Sequence, residues 1–189
     1  MKFIIEHLDK DLHEWSIIEY RRGAELIGKE NFLVTNLDEK YHEKLSGWMQ
    51  VTQKSIQDMP ELHNDRTCVL DPNGDENLRS QDRKKFDVMV FGGILGDDPP
   101  SPRTKDELKV NGAIRKQLGK DQLPTDNAIL VTAEILNGKK FEELKLQKDL
   151  EIQLDEGESI VLPFAYRIID DTPYISEKII RILQEDEGF

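Results

Sequence analysis

The run Phe86-Asp87-Val88-Met89-Val90-Phe91-Gly92-Gly93-Ile94-Leu95-Gly96-Asp97-Asp98-Pro99-Pro100 decides the reading of this chain. Its apolar first half predicts a strand over Phe86–Phe91, and the strand stops on paired glycines. Glycine has no Cβ, so a ligand can approach the backbone closely there, although a tight structural turn fits the same pattern. A second glycine-bearing stretch follows, Arg115-Lys116-Gln117-Leu118-Gly119-Lys120-Asp121-Gln122-Leu123-Pro124-Thr125-Asp126-Asn127-Ala128. Two such loops in one small domain predict a pocket lined by main-chain amides, suited to a small cofactor. The glycine loop lacks the Gly-Lys-Ser/Thr ending of a P-loop and the spacing of a dinucleotide fingerprint.

Outward from this stretch the chain reads as α/β. Lys2–Glu6 predicts a short buried strand. His13–Lys29 predicts a helix with the stripe Ile17, Tyr20, Ala24 and Ile27, and Phe32–Thr35 a second strand. A βαβ start favours a parallel sheet. Arg66–Leu70 predicts a strand ended at Asp71-Pro72, and Asp98-Pro99-Pro100-Ser101-Pro102 a rigid loop. Pro124–Asn137 predicts a helix with proline near its start and Gly138 just past its end. Leu150–Leu154 and Ile160–Ile168 read as strands around Asp155-Glu156-Gly157-Glu158, and Ser176–Glu185 as a final amphipathic helix. Residues 38–64 are mostly polar and helical in parts. With 189 residues and no linker or repeat, one domain over 1–189 is expected.

Composition narrows the function. The net charge of −12 disfavours a phosphate backbone as partner and suits a cationic one, or plain solubility. Cys68, the single cysteine, excludes an internal disulfide and fits a reducing, cytoplasmic setting. No apolar run is long enough to span a bilayer, and the start resembles a first strand rather than a signal peptide. His7, His13, His42 and His63 make no metal pattern. Cys68 lies inside a predicted strand, as a buried structural thiol would. No G-x-S-x-G elbow occurs. Glu6, Asp71 and Asp97 fall at predicted strand ends, where open parallel sheets bind ligands. Each acidic residue, Asp126 included, also fits a turn or helix cap.

The combination Ile4-Ile5-Glu6-His7, Glu14-Trp15, Leu70-Asp71-Pro72, Val90 through Asp97, Pro99-Pro100, Arg103-Thr104, Leu118-Gly119, Gln122, Thr125-Asp126, Ala128 and Pro163-Phe164 resembles the SPOUT-class protein arginine methyltransferases. The resemblance runs from Lys2 to about Arg167, is most specific over Phe86–Thr104, and is weak over 38–64 and the C-terminal tail. It implies a mainly parallel sheet with helices on both faces and a C-terminal trefoil knot. It implies S-adenosylmethionine as cofactor, bound by Leu70, Asp71, Gly92, Gly93, Ile94, Leu95, Gly96, Leu118, Gly119, Gln122, Leu123 and Thr125. It implies an arginine of a basic small-subunit ribosomal protein as substrate, met by Glu14, Arg103, Pro163 and Phe164. Arg103 suits the cofactor carboxylate, or a loop salt bridge of little energy. A guanidinium stays protonated in water, so carboxylates must hold it, orient one nitrogen and help remove a proton. Glu6, Asp97 and Asp126 are the candidates. A monomer is expected ahead of a homodimer. The alternatives are an RNA methyltransferase of the same class and a non-catalytic acidic module for a basic ribosomal partner.

Overall fold

A computed structural model describes residues 1–95, 103–154 and 157–185. Seven parallel strands form the central sheet, in the order β3-β2-β1-β6-β4-β7-β5. They are β1 (Lys2–His7), β2 (Phe32–Thr35), β3 (Gln50–Val51), β4 (Thr67–Leu70), β5 (Glu76–Asn77), β6 (Val88–Gly93) and β7 (Ile114–Gln117). β1 lies between β2 and β6, with Glu6 opposite both Thr35 and Gly92. Five of its six residues are buried, as a central parallel strand covered on both faces requires.

The pleat sorts the core. Phe3 and Ile5 join Phe32, Val34, Met89 and Phe91 on one face of the sheet. Two helices cover that face, α1 (Glu14–Ile27) and α4 (Thr125–Leu136). They cross closely at Gly23, where a Cβ would stand 2.7 Å from Ile129 Cδ1. On the opposite face Ile4, Val69, Val88 and Val90 pack against Ile56, Leu108 and Val110. No long helix covers this face among the described residues. The short turns Ile56–Asp58 and Pro60–Leu62 lie on it, with the segment after α3 (Arg103–Glu107). The remaining short helix, α2 (His42–Leu45), precedes β3.

The last part of the chain builds a second layer. β8 (Leu146–Gln153), β9 (Ser159–Ile169) and β10 (Thr172–Pro173) form an antiparallel sheet in the order β10-β9-β8. Leu150, Ile152, Leu162 and Tyr166 of this sheet meet Ile179 and Leu183 of α5 (Glu177–Glu185) and Ile18 on the outer side of α1. α4 is therefore packed on several sides, and nine of its twelve residues are buried. Gly138, at φ +110°, follows its end, the backbone a helix stop favours.

Strands β3, β5 and β7 had no counterpart in the sequence reading. β7 is Ile114-Arg115-Lys116-Gln117, whose polar letters hide a strand. The ammonium of Lys116 is buried because Glu76 (2.6 Å) and Asp82 (3.8 Å) neutralise it. Arg103, which directly follows the stretch expected as a rigid loop, opens α3. The proline-rich stretch before it, with Gly96, Asp97 and Asp98, lies outside the described residues.

Candidate active site

Because all seven strands run one way, their carboxyl ends share one edge. A cavity of about 470 Å³ opens there, beyond the ends of β4, β6 and β7. Its wall combines Leu70-Asp71-Pro72-Asn73 after β4, Phe91, Gly92 and Ile94 of β6, and Leu118 through Leu123 after β7. Thr104 of α3, Thr125 and Ala128 of α4, Lys148 of β8 and Pro163 of β9 close it. The size suits a nucleoside-containing ligand, since small-molecule sites span ~300–1,000 Å³.

The wall is tied down from behind. Asp71 is buried, accepting from Arg115 Nη1 at 2.6 Å and from the Asn73 backbone N–H at 2.9 Å. Arg115 also donates to the Leu108 carbonyl, so β7 and the segment after α3 fix the turn after β4. That turn closes on Gly74, where a Cβ would stand 2.5 Å from the Lys116 carbonyl carbon. The Gln122 carbonyl accepts the Ala165 N–H at 2.9 Å, joining the β7 loop to β9. Gly119 sits at φ +82°, and a Cβ there would lie 2.5 Å from Phe141 Cζ. Gln122 Oε1 is buried and has no partner among the described residues, an acceptor left over in the cavity wall.

Of the residues read from the sequence as cofactor contacts, Leu70, Asp71, Gly92, Ile94, Leu118, Gly119, Gln122, Leu123 and Thr125 meet in this wall, and so does Pro163. Gly93 does not line it. A Cβ at Gly93 would fall inside the Tyr20 hydroxyl and 2.6 Å from Ile5 Cγ2, so protein fills the space reserved above for ligand. The Leu95 N–H donates to Asp9 Oδ2 at 2.7 Å, and its side chain is exposed. Gly96 and Asp97 lie outside the described residues.

The remaining candidates lie elsewhere. Arg103 donates to Asp9 (2.8 Å) and Glu107 (2.7 Å), which engages its guanidinium within the protein. Glu14 is exposed in the first turn of α1. Phe164 is half-buried in the cluster between the antiparallel sheet and α5. Glu6 is fully buried away from the cavity wall. Its carboxylate accepts from Thr35 Oγ1, from Ser55 Oγ and from the Ile56 N–H at 3.0 Å, holding β1, β2 and the 56–58 turn together.

Asp126 is buried directly behind the cavity wall, next to Thr125. Its Oδ1 accepts from the Asn127 N–H at 2.8 Å and its Oδ2 lies 2.9 Å from Arg22 Nη1. Burial pushes its carboxyl upward and the Arg22 charge opposes that shift. The Arg22 guanidinium carbon stands 3.8 Å from the centre of the Tyr174 ring. Glu19, which the sequence reading passed over, completes the group: its Oε2 accepts the Thr125 N–H at 3.1 Å. The available signal was an acidic residue inside the run Ser16-Ile17-Ile18-Glu19-Tyr20, all of which is buried.

Solved structures with this fold include Trm10 from Thermococcus kodakaraensis, at 17% identity and a TM-score of 0.59 over 76% of this chain and 96% of that one. Far more similar is the yeast arginine methyltransferase SFM1 complexed with SAM, at 34% identity and a TM-score of 0.89, covering 98% of this chain and 90% of that one. The SFM1 complex with SAH gives 33% and 0.88 over 96% and 94%. Protein arginine N-methyltransferase SFM1 of Saccharomyces cerevisiae is 35% identical over 207 aligned positions, 100% of this chain and 96% of the relative. The model of the family described as protein arginine N-methyltransferase SFM1-like matches residues 2–188. The chain belongs to that family, and the resemblance read from its motifs is borne out.

Proposed function

We propose that this protein transfers a methyl group from S-adenosylmethionine to an arginine of a basic small-subunit ribosomal protein in the cytoplasm. The observation that carries the reading is the cavity of about 470 Å³ at the carboxyl edge of β4, β6 and β7, set against the buried Asp126 in a chain of this family. When bound, the cofactor supplies a sulfonium methyl, which passes to a guanidinium nitrogen as the C–S bond breaks, its electron pair staying on sulfur, while the nitrogen gives up a proton.

The wall residues fit such a guest. Backbone at Gly92 and from Leu118 to Leu123 suits the edges of an adenine, and Gln122 Oε1 is an acceptor without a partner among the described residues. Lys120 and Lys148 beside Asp121 put both signs at the rim, as a zwitterionic amino-acid tail requires. Asp126 is the carboxylate carried forward as guanidinium holder, with Asp97 as a further candidate, because the Glu6 carboxylate is already saturated by protein donors. Positioning does most of the work in such an in-line displacement. The net charge of −12 supports a cationic protein over RNA as substrate. The family's trefoil knot and a monomeric state belong to the same proposal.

Calorimetric titration tests the cofactor site. S-adenosylmethionine and its demethylated product are expected to bind the wild-type chain. Gly119→Val forces a branched side chain into a backbone at φ +82° and against Phe141, so affinity should fall by ~10-fold or more. Absence of binding by the wild type, or an unchanged affinity in a folded Gly119→Val, contradicts the assignment.

A further inference from the structure

Arg103 stands beside the cavity without entering it. Its neighbour Thr104 lines the wall, whereas Arg103 turns toward the end of β1. Each nitrogen of its guanidinium already has a protein acceptor. Nη1 donates to Asp9 Oδ1 at 2.8 Å and Nε to Glu107 Oε1 at 2.7 Å. Nη2 donates to the Leu8 carbonyl and to Glu107 Oε2, both at 3.3 Å. A cofactor carboxylate would have to displace one of these to reach the fork.

Asp9 gathers the elements that meet here. The Leu8 N–H donates to the Gly93 carbonyl at 3.0 Å, so the chain leaving β1 runs beside the end of β6. The next residue, Asp9, spends both carboxylate oxygens: Oδ1 on Arg103 and Oδ2 on the Leu95 N–H at 2.7 Å. One side chain therefore holds the residue after the wall member Ile94 and the residue before the wall member Thr104. The two walls ride closely, since a Cβ at Gly92 would stand 2.9 Å from Thr104 Oγ1. Past the other end of α3, Leu108 is fully buried, and its carbonyl accepts from Arg115, which pairs with Asp71. α3 is thus tied to β1 and β6 at its start, through Arg103 and Asp9, and to β4 and β7 beyond its end.

We propose that Arg103 is a positioning residue for the cofactor: by clasping Asp9 it holds Thr104 against Gly92 and Ile94 at the spacing that fits the nucleoside part of S-adenosylmethionine. The inference rests on the reading of the cavity as an S-adenosylmethionine site. Arg103 touches no ligand itself. It acts through the backbone of α3, by keeping the wall in its binding shape before the guest arrives. A wall already in place spares the ligand the cost of ordering it. The clasp suits this work because the Asp9 and Arg103 side chains are 13% and 26% exposed, so water screens the pair only in part.

Methylthioadenosine separates this role from direct contact, because it keeps the nucleoside and lacks the amino-acid tail with its carboxylate. The measurement is titration calorimetry of both ligands, well below the melting temperature of each variant. Arg103→Gln should weaken S-adenosylmethionine by ~10-fold and methylthioadenosine by the same factor. Asp9→Asn should do likewise: its amide oxygen can still take the Leu95 N–H, but its amide nitrogen faces the Arg103 cation. The double variant should bind no worse than the weaker single, since both changes open one clasp. Arg103→Lys keeps a cation on Asp9 without the fork and should recover part of the affinity. Arg66→Gln removes a comparable pair with Asp87 at the opposite edge, before β4 and β6, and should leave both affinities unchanged. A loss confined to S-adenosylmethionine, with methylthioadenosine unaffected, means contact with the tail and overturns the proposal. So do additive losses in the double variant, or affinities within about threefold of wild type in folded Arg103→Gln and Asp9→Asn. If Arg103→Gln does not fold, Arg103→Lys and Asp9→Asn carry the same comparison. Wild-type protein that binds neither ligand overturns the cofactor reading and this inference with it; wild-type binding with indifferent clasp variants overturns this inference alone.

Discussion

Asp126→Asn should lower methyl transfer by ~10²-fold or more while S-adenosylmethionine affinity changes far less. The amide keeps the shape but removes the charge. A carboxylate holding a guanidinium makes charge-assisted, often bidentate hydrogen bonds. Losing one costs a few kcal/mol in the transition state, which is about two powers of ten in rate. Cofactor affinity is spared because Asp126 stands behind the cavity wall, whose neighbouring member is Thr125. The variant also leaves Arg22 without its 2.9 Å partner and turns an amide N–H toward a cation. That should cost about 1–3 kcal/mol of stability, softened because Arg22 is 18% exposed. Steady-state kinetics beside calorimetry and a melting curve separate the three effects. Transfer within about threefold of wild type in a folded Asp126→Asn removes Asp126 from the reaction.

Gly93→Val should act on the fold before it acts on any ligand. The new side chain meets the Tyr20 hydroxyl and Ile5 Cγ2, both buried, at the end of the central strand pair β1–β6. Tyr20 cannot yield freely, because its hydroxyl is hydrogen-bonded to buried His7 Nδ1 at 2.9 Å. Overpacking of this kind costs ~1–3 kcal/mol or more. A chain of this size loses ~2–4 °C in Tm per kcal/mol, so a fall of roughly 2–12 °C is expected. Gly92→Val should be milder for the fold, since the nearest obstacle is the movable Thr104 hydroxyl at 2.9 Å, and more harmful to cofactor binding, since Gly92 lines the cavity. Equal melting temperatures for wild type and Gly93→Val contradict the packing described.

These two glycines mark the limit of what the letters disclosed. The paired glycines at the end of an apolar strand announced a close approach, and one occurs at each. The sequence could not say that Tyr20, from a helix more than 70 positions away, fills the space at Gly93 while the cavity opens at Gly92. β1, β2, β4, β6 and the long helices were legible because their apolar residues recur at strand or helix spacing. β7 was not, because Lys116 is buried only through Glu76 and Asp82, partners that the fold supplies. Residues 146–149 of β8 were missed because their side chains are largely exposed.

The acidic residues divide the same way. Glu6 stands at the end of β1, as a ligand-binding carboxylate does. Its donors Thr35, Ser55 and Ile56 lie 29 to 50 residues on and convert it into a tie between strands. Asp126 fits a helix-start acid by position, yet it pairs with Arg22 from another helix. Glu19 was visible as an interruption in a buried stripe, but its bond from the Thr125 N–H is one that only tertiary structure brings to it.

The most direct test of the function is transfer of labelled methyl groups from S-adenosylmethionine into separate pools of small-subunit ribosomal proteins and total RNA. The account predicts ribonuclease-resistant label in a basic protein, recovered as methylarginine after acid hydrolysis, and none in RNA. Ribonuclease-sensitive label, or no label in either pool from a protein that binds the cofactor, would contradict it.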